Sequence, residues 1–161
     1  MEKTRLQKQL AFLLEIDKMK TILRRNVILD KSKQEDDAEH SWHMAVMAML
    51  LYEYAPKGTD LLRVLKMALI HDLVEVYAGD TFCYDKTANQ DKVRREQAAA
   101  DKLFSMLEKD QEQELRTLWE EFDRMDTPDS LYAGAIDRLQ PLLLNCHTDG
   151  HTWKQANVTS A

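Results

Sequence analysis

A histidine and two carboxylates interrupt the apolar run Ile70-His71-Asp72-Leu73-Val74-Glu75. The periodicity predicts a helix here, in which His71 and Glu75, four residues apart, share a face, and Asp72 and Glu75, three apart, are neighbours. Burying an unpaired carboxylate is costly, and a cation or a metal is the usual compensation. A divalent ion wants four or more donors, so other segments must supply the rest. His40, in Ala38-Glu39-His40-Ser41-Trp42-His43, and Asp137, following Ala133-Gly134-Ala135-Ile136, interrupt otherwise apolar stretches and are the best candidates. Two imidazoles with two carboxylates make a mixed nitrogen and oxygen set, suited to Mn, Co, Fe, Ni, Zn or Mg rather than to thiolate-seeking ions.

The segments that must position these groups read as helices. Apolar residues Leu6, Leu10, Leu13, Ile16, Ile22 and Leu23 predict a helix over 6–23, and polar 26–37 reads as a loop. Asp36 with Glu39 three residues later forms a capping box for a helix over 38–54, ended by Pro56-Lys57-Gly58. Thr59 or Asp60 caps the helix over 61–78, which Gly79 and Asp80 close. A loop over 81–87 leads to helices over 89–109 and 112–125. Thr127-Pro128-Asp129-Ser130 then starts the last main helix, where Pro141 denies a backbone donor to the Asp137 carbonyl and favours a kink. No period-2 run is long enough for a sheet, so the expected fold class is all-α: one helical bundle spanning 1–161, with the site-bearing core roughly over 36–146.

Bulk properties agree with a single globular domain. The 161 residues are 44% hydrophobic and 31% charged, with four glycines and three prolines. A net charge of -6 disfavours a nucleic acid polymer as partner, because coating phosphates requires a basic face. No apolar stretch approaches the roughly 20 residues that span a bilayer, so no membrane association is expected. Cys83 and Cys146 stand far apart with no CxxC partner, which points to a reducing, cytoplasmic compartment rather than a disulfide framework.

The ordered set His40, His71-Asp72, Asp137 resembles the HD-domain phosphohydrolases, whose ligands follow that order. The 5'-deoxynucleotidase-like branch is the nearer likeness, through Arg25-Asn26-Val27, Ala38-Glu39-His40-Ser41, His71-Asp72-Leu73-Val74-Glu75, Ala78-Gly79-Asp80 and Asp137-Arg138-Leu139. This resemblance implies hydrolysis of (deoxy)nucleoside 5'-monophosphates by one divalent metal held by His40, His71, Asp72 and Asp137. No histidine lies between Asp72 and Asp137 to supply the extra ligands of two-metal relatives. The resemblance makes Glu75 the catalytic carboxylate, gives Asp80 a supporting role at the sugar, and suggests a homodimer. It aligns Lys20 with an arginine that meets the substrate phosphate, a role Arg24 or Lys33 could also take. Thr21 falls where branch members reject ribose with a tryptophan, which implies weaker deoxyribose selectivity. The chain stops soon after Trp153, where relatives usually continue, so a terminal helix is expected to be missing from it.

Other readings of the same residues remain: a hydrolase of a different phosphomonoester or a phosphodiester, or a helical module that binds nucleotide without turnover. His43 reads as a packed neighbour of the site, and His147 and His151 as solvated. Met44, Met47, Met49 and Met67 read as core filling, and Trp42, Trp119 and Trp153 as packing anchors.

Overall fold

The computed structural model describes residues 3–82, 87 and 89–158. Cys83 and most of the loop expected over 81–87 lie outside the described residues. Among the described residues eight α-helices follow in order, α1 (Arg5–Ile16), α2 (Asp37–Leu50), α3 (Leu61–Ile70), α4 (Glu75–Ala78), α5 (Lys92–Phe104), α6 (Lys109–Arg124), α7 (Pro128–His147) and α8 (His151–Gln155), with short 3-10 helices over Asp17–Thr21 and Tyr52–Tyr54 and a hairpin of β1 (Leu23–Val27) and β2 (Gln34–Asp36) before α2. The fold is helical, as expected.

Local chemistry sets the helix starts. Thr4 caps α1 in a box with Gln7, Asp36 caps α2 in a box with Glu39, and Thr127 caps α7 in a box with Ser130, with Pro128 in the first turn. Asp60 caps α3, its carboxylate accepting from the backbone of Leu62 and Arg63. α2 packs on α3, both pack on α7, and α6 closes against α3 and α7. Between them lie Met44, Val64, Met67, Val74, Leu103 and Phe104, all fully buried, with Ala48, Ala68, Ala100 and Ala133 allowing close approach.

Three expectations are corrected. The helix expected over 6–23 ends at Ile16, and Leu23 begins a strand antiparallel to β2, with Leu23 opposite Asp36 and Val27 opposite Gln34. The helix expected over 61–78 breaks after Ile70, because Leu73 bonds back to the Ile70 carbonyl and Glu75 to that of Asp72, a tightened i to i−3 pattern. His71 and Asp72 therefore sit in the turn between α3 and α4, not in mid-helix. Met49 and Trp42 are exposed, at 49% and 65%, whereas Met44, Met47, Met67 and Trp119 are core residues. α7 runs through Pro141 to His147, with Asn145 Nδ2 donating to the Pro141 carbonyl at 3.0 Å.

Candidate functional site

Four elements deliver polar side chains to one buried point. His40 comes from the first turn of α2, His71 from the end of α3, Asp72 from the turn that follows and Asp137 from the middle of α7. His40 Nε2 lies 2.9 Å from Asp137 Oδ1 and 3.9 Å from Asp72 Oδ2. His71 Nε2 lies 3.1 Å from Asp72 Oδ2 and 3.6 Å from Asp137 Oδ1. All four expected ligands are thus brought together, and one donor atom each of His40, His71 and Asp72 falls within 4.8 Å of the others.

The opposite edge of each ring dictates what Nε2 presents. His40 Nδ1 is 3.0 Å from Gln140 Oε1, and Gln140 spends its Nε2 hydrogens on Glu35 and on His43 Nδ1. Gln140 Oε1 can only accept, so His40 Nδ1 carries the hydrogen. His71 Nδ1 is 3.0 Å from the Ala68 carbonyl, which also only accepts. In their neutral forms both rings therefore aim an Nε2 lone pair at carboxylate oxygens. His71 Nε2 is buried and has no hydrogen-bond partner among the described residues. Two such acceptor-to-acceptor contacts are repulsive unless positive charge lies between them, and a divalent cation fits that donor set. Without a metal the same constraint acts on protons. Burial opposes the imidazolium of His71, but Asp72 and Asp137 outweigh it and raise the group to about 10. Asp72 and Asp137 are held well below the usual carboxylate range, the imidazoles overcoming the burial that would raise them.

Beside this cluster lies a second acidic group. Oxygens of Asp37, Asp72 and Glu75 fall within 4.8 Å of one another. Burial, reinforced by Asp72, raises both Glu75 and Asp37, so Glu75 holds a proton where an ordinary glutamate would have lost it. Arg24 offsets the charge: its Nη1 lies 2.9 Å from Asp72 Oδ2 and 3.3 Å from Asp37 Oδ1, and its Nε 3.8 Å from Glu35 Oε2. Gly79, with φ +75, turns the chain out of α4 and leads Asp80 into the same cavity.

That cavity, of about 480 Å³, has Asp72, Glu75, Asp80, Asp137 and Arg24 in its wall, together with Arg25 and Lys92. Lys20 and Lys33 are not brought to it. Both are exposed, Lys20 paired with Asp17 and Lys33 with Glu39, and Thr21 is likewise exposed and outside the lining. Sequence reasoning missed Glu35, Asp37, Lys92 and Gln140. Gln140 carried a usable signal, since it follows Asp137 by three residues on one helix face, and Asp37 likewise precedes His40 by three. Lys92 carried none, being remote in sequence from every other member. The cavity also reaches Arg25 and Trp153, beyond the 36–146 core expected from the sequence.

Comparison with known proteins follows the same lines. The model of the HD domain family matches residues 16–161. Curated proteins similar to this chain include the 5'-deoxynucleotidase HDDC2 of Bos taurus, 30% identical over 83% of this chain and 64% of that protein, and its counterpart from Xenopus laevis, 31% identical over 83% of this chain and 66% of that protein. The chain thus spans just under two thirds of these relatives' length. Among solved structures, a predicted metal-dependent phosphohydrolase from Magnetospirillum magnetotacticum is 52% identical, with a TM-score of 0.92 over 96% of this chain and 78% of that one. A conserved hypothetical protein from Pyrococcus furiosus shares the fold, at a TM-score of 0.68 and 24% identity over 94% of this chain and 89% of that one.

The His71 constraint predicts how metal affinity depends on pH. Because the ion must displace a proton held to about pH 10, apparent affinity should rise as pH is raised towards that value, with about one proton released per ion at neutral pH. In the metal-free protein, the raised His71 contributes stability that is fully present below its unfolded value near 6.5 and is lost as pH rises through about 10. Gln140→Leu removes the acceptor that orients His40 and should weaken binding about 10- to 100-fold. Calorimetric titration in buffers of different ionisation enthalpy reads both; an affinity independent of pH, or unchanged in Q140L, would count against the assignment.

Proposed function

This chain belongs to the HD domain family, and from that premise we propose that it is a metal-dependent phosphohydrolase that cleaves nucleoside 5'-monophosphates, deoxynucleotides foremost, to nucleoside and phosphate. The observation that carries the reading is the pair of Nε2 atoms aimed at Asp72 and Asp137 at the wall of an open cavity. The names of the curated relatives support the nucleotide substrate.

In this reading His40, His71, Asp72 and Asp137 hold one divalent ion, with Mn, Co, Fe, Ni, Zn and Mg all compatible with the donor set. The bound ion supplies Lewis acidity towards a phosphoryl oxygen and lowers the pKa of a water. Glu75, whose proton is retained by burial and by Asp72, delivers that proton to the departing nucleoside oxygen in this reading. Asp80, also raised by burial, works beside it at the sugar. Arg24, which lines the cavity, takes the phosphate contact in this reading, and Arg25 and Lys92 add positive charge to the same wall. Arg24 also fixes Asp72 and Asp37, so its substitution should disturb the ligand set as well as the substrate.

Two finer statements belong to the same proposal. Leu6, Leu10 and Leu13 of α1 form an exposed apolar groove with Leu69 and Leu115, a surface suited to a second copy in a homodimer. Sedimentation at micromolar concentration should show a dimer that Leu10→Glu converts to monomer; a monomeric native protein would end that part of the reading. No helix among the described residues is long and apolar enough to cross a membrane. The free, exposed thiol of Cys146 is compatible with a reducing cytoplasm.

Activity is tested by phosphate release from deoxy- and ribonucleoside monophosphates, cyclic dinucleotides and a generic ester, with Mn, Co, Ni, Zn or Mg restored after chelation. Metal-dependent release confined to the monophosphates is expected, with a modest deoxy to ribo ratio because Thr21, outside the cavity lining, replaces the tryptophan with which branch members reject ribose. Glu75→Ala should keep the metal and lose about 100- to 10,000-fold in turnover. Release from diesters alone, or silence with metal bound, would overturn the nucleotidase reading.

A further inference from the structure

The cavity has a second end that the reaction chemistry does not use. Asp137, Pro141 and Asn145 all line it and succeed one another every four residues along α7, so the cavity follows one helix face for about 12 Å. Asp137 marks the metal end. Beyond Asn145 the chain turns at Gly150, with φ +65, and α8 returns against β1, placing Thr152 and Trp153 in the cavity wall.

Buried polar groups at this turn hold α8 in place. Asn145 Oδ1 accepts from the Thr152 backbone at 3.0 Å, and the Asn145 carbonyl accepts from Gly150 at 2.8 Å. Thr152 Oγ1 donates to Asn26 Oδ1 at 2.9 Å, which ties α8 to the strand that carries Arg24 and Arg25. A five-residue helix has no stability of its own, so this network fixes where Trp153 stands. A Cβ at position 150 would lie 3.3 Å from Trp153 Cε3, so glycine leaves the indole its room.

Trp153 is not a packing anchor of the kind expected from the sequence. Trp119 belongs to the buried core, but among the described residues Trp153 does not; it is half-buried and borders the cavity instead. With Pro141, Leu142 and Phe82 it makes the apolar part of a lining whose other end is charged. A nucleoside monophosphate has that polarity: a dianion at one end, a flat aromatic base at the other.

Building on the nucleotide reading above, we propose that Trp153 is the platform on which the base of the substrate stacks, with the phosphate at the Asp72, Asp137 and Arg24 end and the sugar passing Pro141. Base stacking on an indole combines a large contact area with low ordering cost. A phosphate ester without a base would forgo that contact.

The test is equilibrium binding by calorimetry to this chain loaded with metal and carrying Glu75→Ala in every sample, so that affinity is read without turnover, using deoxyadenosine 5'-monophosphate and 2-deoxyribose 5-phosphate. With Trp153 in place it should bind the nucleotide more tightly. Trp153→Leu should weaken the nucleotide about tenfold and leave the sugar phosphate unchanged. Trp153→Phe should keep most of the nucleotide affinity, which guards against a folding defect in W153L. Gly150→Ala, which crowds the indole and strains the positive φ that starts α8, should reproduce part of the selective loss. Equal weakening of both ligands in W153L and W153F, or unchanged nucleotide affinity in W153L, would overturn the platform. Failure of the phosphate-release panel would overturn the nucleotidase reading alone, since nucleotide affinity lost selectively in W153L stands without turnover.

Discussion

Two imidazoles that cannot turn round organise this molecule. Gln140 and the Ala68 carbonyl each take the Nδ1 hydrogen of a buried histidine, and that leaves both Nε2 atoms facing Asp72 and Asp137. The rings are 5.4 Å apart, and Phe122 packs against His71 at 4.7 Å between centroids, so neither can swing away to relieve the repulsion. The arrangement is stable only with positive charge at its centre. The capped start of α2, the end of α3 and the middle of α7 must all meet there, and the packing of α2, α3 and α7 on one another accomplishes it.

Around that centre the chain departs from regular structure where the chemistry requires it. α3 ends as the first ligands appear, and the tightened turn over 71–74 lets Asp72 reach the cavity while Leu73 and Val74 remain in the core. Burial of Asp37 and Glu75 next to Asp72 would be untenable for three full charges. Arg24 from β1 and a proton retained by the Asp37 and Glu75 pair make it tolerable. The hairpin is therefore more than a connection between α1 and α2, because it delivers the guanidinium that these acids depend on.

The metal-binding candidates were legible because each breaks a helical apolar pattern, and a polar residue on a core stripe demands an account. The capping boxes at Asp36 and Thr127 were legible for the same local reason. The hairpin was not: Leu-Arg-Arg-Asn-Val facing Gln-Glu-Asp shows no alternation, and its pairing is fixed by the elements it joins. Nor was the break after Ile70, since Leu73 and Val74 continue the apolar pattern through it. Lys20 was aligned by resemblance, but an exposed turn carries it away from the cavity, where Arg24, Arg25 and Lys92 stand instead. Lys92 and Trp153 reach the site only through tertiary folding, which leaves no periodic trace.

The central claim is that His40 and His71 present Nε2 to a cation. Nitrogen-15 NMR of histidine-labelled protein, metal-stripped and then titrated with Zn at neutral pH, tests it directly. The account predicts that both rings bear hydrogen on Nδ1 and that their Nε2 resonances move to the metal-bound range on titration, His71 losing imidazolium character as they do. Neutral rings with hydrogen on Nε2, unmoved by metal, would contradict it.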